Sequence, residues 1–150
     1  MNRNRSLIQL SESDKIKFGS EGFDFASQSQ PQKVFSAIWL VEAEVNNGGF
    51  WQYFTNDSAE SAPFMVEALN TIGAPKTADI CQRAIFVAFP AGLPKTGEEI
   101  RTAAANFADE TLQKLETLTQ EFFAYPHDLT ELLFDFVVKY PEEFGNLPEA

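Results

Sequence analysis

Apolar residues recur along most of this chain at the three-and-four spacing of a helix face, and prolines and glycines cut the recurrence into segments. The last segment is the clearest. Leu129, Leu132, Leu133, Phe136, Val137 and Tyr140 fall at i, i+3, i+4, i+7, i+8 and i+11, with Asp128 and Glu131 supplying the cap and the third-position acid, and Pro141 as the stop. A strand cannot bring those six residues to one side, because its side chains alternate. Upstream, Asp109 to Phe123 repeats the pattern with Leu112, Leu115, Leu118 and Phe122. Thr96 and Glu99 have the spacing of a capping box, in which hydroxyl and carboxylate each satisfy a free backbone N–H, and Ala103, Ala104, Ala105 and Phe107 follow. Pro75 opens a helix whose face is Ala78, Cys81, Ile85, Ala88 and Phe89, closed by Pro90. Ser61-Ala62-Pro63 opens another, with Phe64, Ala68, Leu69 and Ile72 on one side and Gly73 at its end.

The first half is less settled. Ser29 caps a helix with Pro31 in its first turn, and Val34, Ile38, Val41 and Val45 share its face until Asn46-Asn47-Gly48-Gly49. The same stretch also reads as alternation, Trp39, Val41, Ala43 and Val45 against Leu40, Glu42 and Glu44, with Asn47-Gly48 as a hairpin turn. Residues 1–30 read as a loosely ordered leader broken by Gly19, Gly22 and the run Ser27–Pro31, with Phe18, Phe23 and Phe25 available to dock on the core. Residues 31–150 contain no linker. The fold class is all-α, a compact single-domain multi-helix bundle.

Composition supports a folded chain: 44% of residues are hydrophobic and fifteen are Phe, although the net charge is −11. The charge is uneven. Arg3, Arg5, Lys15 and Lys17 oppose only Glu12 and Asp14 in residues 1–17, a local +2 that leaves −13 on residues 18–150. Such a body repels nucleic acid and anionic membranes and attracts the basic surfaces with which proteins grip DNA or RNA. Charge also serves solubility alone, and composition does not separate the two. The single Cys81 excludes an intramolecular disulfide and a cysteine metal cage. The N-terminus lacks the apolar core of a signal peptide and no stretch is apolar enough to span a bilayer, so the expected location is cytoplasmic.

Catalytic chemistry is hard to find. His127, the one histidine, stands just before a helix cap with no nucleophile near it, and reads as a surface or capping residue. Cys81 lies on an apolar face, where a thiol packs as a small hydrophobe. Glu42 and Glu44 diverge on a helix; only on a strand would they join Asn46 around a hard cation. Nucleotide-loop, zinc-protease and EF-hand spacings are missing, so no catalytic, cofactor or metal residues are assigned and the chain is not expected to be an enzyme. Acidic side chains remain. Glu60 and Glu67 stand seven apart, roughly 10 Å along a helix face, and Asp109 and Glu116 repeat the spacing beside Glu110 and Glu121. Rows of this kind can imitate duplex phosphates, although a single pair is ordinary solvated surface.

The segment Val41–Asn56, with Glu44, Asn46, Asn47, Gly48, Gly49, Phe50, Gln52, Phe54 and Asn56 in the order E-V-N-N-G-G-F-W-Q-Y-F-T-N, resembles the signature of the dimeric DNA-mimic protein family. Ala68-Leu69-Asn70-Thr71-Ile72-Gly73-Ala74 is similar to its A-L-x-x-I-G-A helix end, and the likeness runs from about residue 32 to residue 144. The resemblance implies an all-helical domain that forms a homodimer and occupies a basic, DNA-binding partner such as a transcription regulator. It also implies that the motif is a helix, a glycine break and a second short helix. Gly48 and Gly49 then permit a tight corner, Phe50 and Phe54 plug the core, and Asn46 or Asn56 bonds backbone there. Alternatively Glu44, Asn46, Gln52 and Asn56 line a pocket for a small ligand or metal. A further rival is a regulatory module whose apolar face is Phe50, Trp51 and Tyr53.

Overall fold

The computed structural model describes residues 2–13, 16 and 24–145. Among them there is no strand, and eight α-helices follow one another: α1 (Arg3–Ser11), α2 (Gln30–Thr55), α3 (Ala62–Thr71), α4 (Pro75–Ala88), α5 (Gly97–Ala105), α6 (Asp109–Phe123), α7 (Leu129–Val137) and α8 (Pro141–Phe144). Short 3-10 turns at Phe25–Ser27 and Asp57–Ser61 complete the path. The all-α reading holds, and the hairpin alternative turning at Asn47-Gly48 does not.

α2 is the central element. It starts at a reciprocal capping box: Ser29 Oγ accepts from the N–H of Gln32, and Gln32 Oε1 accepts from the N–H of Ser29. Val34, Ile38, Val41 and Val45 are buried as their spacing predicts, joined by Phe35 and Ala37. With α3, α5, α6 and α7 packed around it, α2 touches most of the other helices. Phe35 stacks on Trp39 at 5.5 Å and meets Phe144 at 6.0 Å, which fixes α8 to the start of α2.

Some local readings change. In α3 Met65 joins Leu69 as a fully buried large side chain, while Phe64 is half-buried against Phe25. At α5 only half of the capping box forms. Thr96 Oγ1 accepts from the N–H of Glu99, but the Glu99 carboxylate takes the Thr96 hydroxyl instead of the backbone N–H.

The leader is the largest correction. Residues 3–11, expected to be loosely ordered, form α1 and pack on α7, burying Ser6, Leu7 and Leu10. Asn2 accepts from the N–H of Arg5, and Arg3 pairs with Glu131 and Asp135 while sitting 4.9 Å from the Phe134 ring centre. Nine residues make a marginal helix alone, so its stability comes from these tertiary contacts. The docking expected of Phe18 and Phe23 lies outside the described residues.

Candidate functional site

The motif forms a corner within α2. Helical geometry stops at Gly48 (φ −156°, ψ 17°) and Gly49 (φ 78°, ψ −176°) and resumes toward Thr55. The second of these conformations is open in practice to glycine alone. At the first, a Cβ would collide with the Gln52 side chain, so the Gln52 amide lies against the bare α-carbon. Its Nε2 donates to Glu44 Oε2 at 2.6 Å, and Asn56 Nδ2 donates to the same oxygen at 3.0 Å. Thus one carboxylate ties both arms of the corner to the cap of α2.

The break frees the Phe50 N–H, which donates to Thr119 Oγ1 of α6 at 3.2 Å in a buried setting. Phe50 and Phe54 fill the core as expected; Phe50 meets Phe122 edge-on at 6.0 Å. Trp51 donates from Nε1 to the carbonyl of Ala104 at the end of α5. Neither Asn46 nor Asn56 bonds backbone through its side chain, contrary to expectation, because side-chain oxygens stand nearer. Asn46 Nδ2 donates to the Tyr125 hydroxyl at 2.7 Å, which in turn donates to Glu42 Oε2 at 2.7 Å. Glu44, Gln52 and Asn56 therefore converge, Asn46 departs to a second cluster, and Asn47 is exposed. The apolar face proposed from Phe50, Trp51 and Tyr53 does not exist as such: Phe50 and Tyr53 are fully buried, and only Trp51 is exposed.

Tyr125 escaped the sequence reading, although its place before Pro126 disfavours helix and so marks the end of α6. It adopts φ 48°, strained for a bulky side chain, and contacts with Phe122 and Glu42 hold it there. Burial pushes its hydroxyl up to about 12. Burial likewise raises the Glu42 carboxyl above its usual range, more than the Tyr125 bond lowers it, and Asp128 adds repulsion. The folded protein thus holds the Glu42 proton more tightly than the unfolded chain does. Ionised Glu42 costs stability at neutral pH, and that cost fades as pH falls through the raised value to the unfolded one. Glu42→Gln, which still accepts from Tyr125, should melt at a higher temperature than the parent at pH 7. The gap should close in acid; a gap that widened in acid would contradict this account.

The six acids named from the sequence lie on three elements. Glu60 leaves the Asp57–Ser61 turn to pair with Arg101 at 3.0 Å, and Glu67 on α3 accepts from Gln30 Nε2 at 3.3 Å. The other four lie on α6 in two stripes. Glu110 pairs with Lys114, and Glu121 takes both terminal nitrogens of Arg83, whose Nε also reaches Asp79. That guanidinium holds the Glu121 carboxyl below its usual range. Asp109 and Glu116 have no cation partner among the described residues; Glu116 accepts only from Gln120.

Arg83 and Glu121 also form one wall of an open groove of about 540 Å³ between α4 and α6, lined by Pro75, Lys76, Ile80, Ala124 and Pro126. At its end His127 does act as a cap, for a different helix from the one it precedes. Its Nε2 accepts from the N–H of Lys76 in α4 at 3.1 Å. Cys81 is buried, and burial pushes its thiol well up, away from reactive thiolate. No helix of the described residues is long and apolar enough to cross a membrane.

The profile of a protein family described as "DMP19-like protein" matches residues 26–140. No curated protein and no solved structure matches the chain.

Proposed function

The chain belongs to the DMP19-like protein family, and on that premise we propose that it is an interaction protein of the DNA-mimic type. In this reading it occupies the basic nucleic-acid-binding surface of a partner such as a transcription regulator. It works in the cytoplasm as a homodimer, without catalysis, cofactor or metal, and without itself binding nucleic acid. The observation that carries the reading is the stripe of α6 where Asp109 and Glu116 stand without a cation, two turns apart on a rigid helix. Such carboxylates are fixed, solvated and available, as backbone phosphates are. Glu60, Glu110 and Glu121 contribute differently. Their pairs with Arg101, Lys114 and Arg83 are exposed and worth about 0–1 kcal/mol each, so a partner's cation can displace them.

Capture on the immobilised chain from its native cytoplasm tests this. Basic proteins should be retained at about 50 mM salt and lost by about 200 mM, since contacts that neutralise charge weaken steeply with ionic strength. Neutralising Glu60, Glu67, Asp109 and Glu116 together should abolish the low-salt capture. Retention indifferent to salt and to that substitution would reject mimicry in favour of an apolar contact. Phe86, 68% exposed on α4, is the observation that keeps such a contact in view.

A further inference from the structure

α1 and α7 meet through one stripe of each. Arg3, Leu7 and Leu10 stand at i, i+4 and i+7 on α1, and both leucines are buried. On α7, Glu131, Phe134, Asp135 and Val138 stand at i, i+3, i+4 and i+7. Leu129, Leu133, Phe136 and Val137 take the opposite side and belong to the core, so α7 carries apolar residues on two faces. Arg3 binds the outer stripe in two ways at once: its guanidinium pairs with Glu131 and Asp135 and lies over the Phe134 ring. α1 does not cover the whole stripe, since Val138, one turn past Phe134, is 41% exposed. What holds α1 is slight. Two leucines, and an arginine whose ion pairs are open to solvent, are set against the ordering of nine residues that make a marginal helix alone. Ile16 is buried separately and its carbonyl accepts from Gln28, so α1 can leave while the chain behind it stays.

We propose that the outer side of α7 is a docking site for a basic amphipathic helix, that α1 is its resident occupant, and that a partner's helix of the same kind displaces α1. The displacing helix carries an arginine followed by two leucines in the register of Arg3, Leu7 and Leu10. Arginine suits the site better than lysine, because a planar guanidinium can serve two carboxylates and stack on a ring together. The acidic body around the site, −13 over residues 18–150, draws a basic helix and discourages an acidic one. α1 acts as a tethered competitor whose effective concentration, on the order of millimolar, sets the threshold that an incoming helix must exceed. The site uses α7, and it stands whether or not the unpaired acids of α6 imitate DNA.

Two measurements on full-length chains test the site. In the parent, the Leu7 and Leu10 amides should be at least about a hundredfold less protected from exchange than those of Val41 and Val45 in α2, the sign of an α1 that opens without the rest. Equal protection would make α1 an inseparable part of the core and overturn the proposal. The second measurement unseats α1 with the double substitution Leu7→Asp and Leu10→Asp, with protection at Val41 and Val45 as the check that the core is intact. A synthetic peptide of residues 2–13, added at about 1 mM to match the tethered segment, should then shift the NMR signals of Phe134 and Val138. The parent, whose site is filled, should need about tenfold more peptide for the same shift. A peptide carrying Arg3→Glu and Arg5→Glu should shift neither signal. An unseated chain that ignores the first peptide, or that responds equally to the charge-reversed one, would refute the assignment.

Discussion

Gly49→Ala is expected to destabilise the protein by about 2–3 kcal/mol, the cost of forcing a side chain into a backbone conformation reserved for glycine. For a chain of this size that corresponds to a fall of about 5–10 °C in Tm. Two terms add. The backbone stands at φ 78° with ψ −176°, and a Cβ would meet Thr119 Oγ1 at 3.1 Å, the atom that receives the Phe50 N–H. Relieving the contact means moving Thr119, which leaves a buried donor unsatisfied. Gly48→Ala is the internal control. Its negative φ spares it the left-handed strain, but a Cβ there would crowd Gln52 from the amide down to the Gln52 Cβ at 2.8 Å, so its cost is that crowding and the displaced Gln52–Glu44 hydrogen bond, about 1–2 kcal/mol. Thermal melts of the two variants followed by circular dichroism decide the matter. Equal losses would mean that crowding, and not the backbone, makes the corner.

The contrast shows what a sequence can and cannot disclose here. A double glycine between two helical patterns announces a break, and the family motif indicated a helix on each side of it. That Gly49 carries the strain while Gly48 only makes room for Gln52 depends on a partner in α6, some seventy residues on. Periodicity located α4, α6 and α7 closely because each buries one continuous apolar face and ends at a proline or a cap. It missed α1, whose nine residues hold a helix only when Arg3 and Leu7 have α7 to rest on. The acids behaved likewise. Pairs four apart on one helix, Asp79 with Arg83 and Glu110 with Lys114, are legible in principle. Those between elements, Glu121 with Arg83 and Glu60 with Arg101, are not. Of the six acids named from the sequence, Glu60, Glu110 and Glu121 are thus paired with cations, while Glu67, Asp109 and Glu116 are not, among the described residues.

Phe54→Ala should be the most damaging single substitution, costing about 3–5 kcal/mol as the removal of a buried aromatic ring does. Phe54 has no exposed surface, and it is the point where three chain segments meet. Its ring lies edge-on to Phe89 past the end of α4 at 5.4 Å, to Phe107 before α6 at 6.5 Å, and to its neighbour Tyr53 at 5.4 Å. Phe89 and Phe107 also touch each other, so the three rings form a closed triangle. Removing one corner leaves a cavity that helices on different sides cannot fill without shifting, and edge-to-face contacts are lost besides. Phe54→Leu restores most of the volume without the ring and should cost distinctly less. Denaturant unfolding of Phe54→Leu, Phe107→Leu and the double variant isolates the ring contact. A coupling of about 0.5–1.5 kcal/mol is expected for such a pair. Strict additivity would show that Phe54 acts through its volume alone, and that the α5–α6 connection is held to the corner by something other than this triangle.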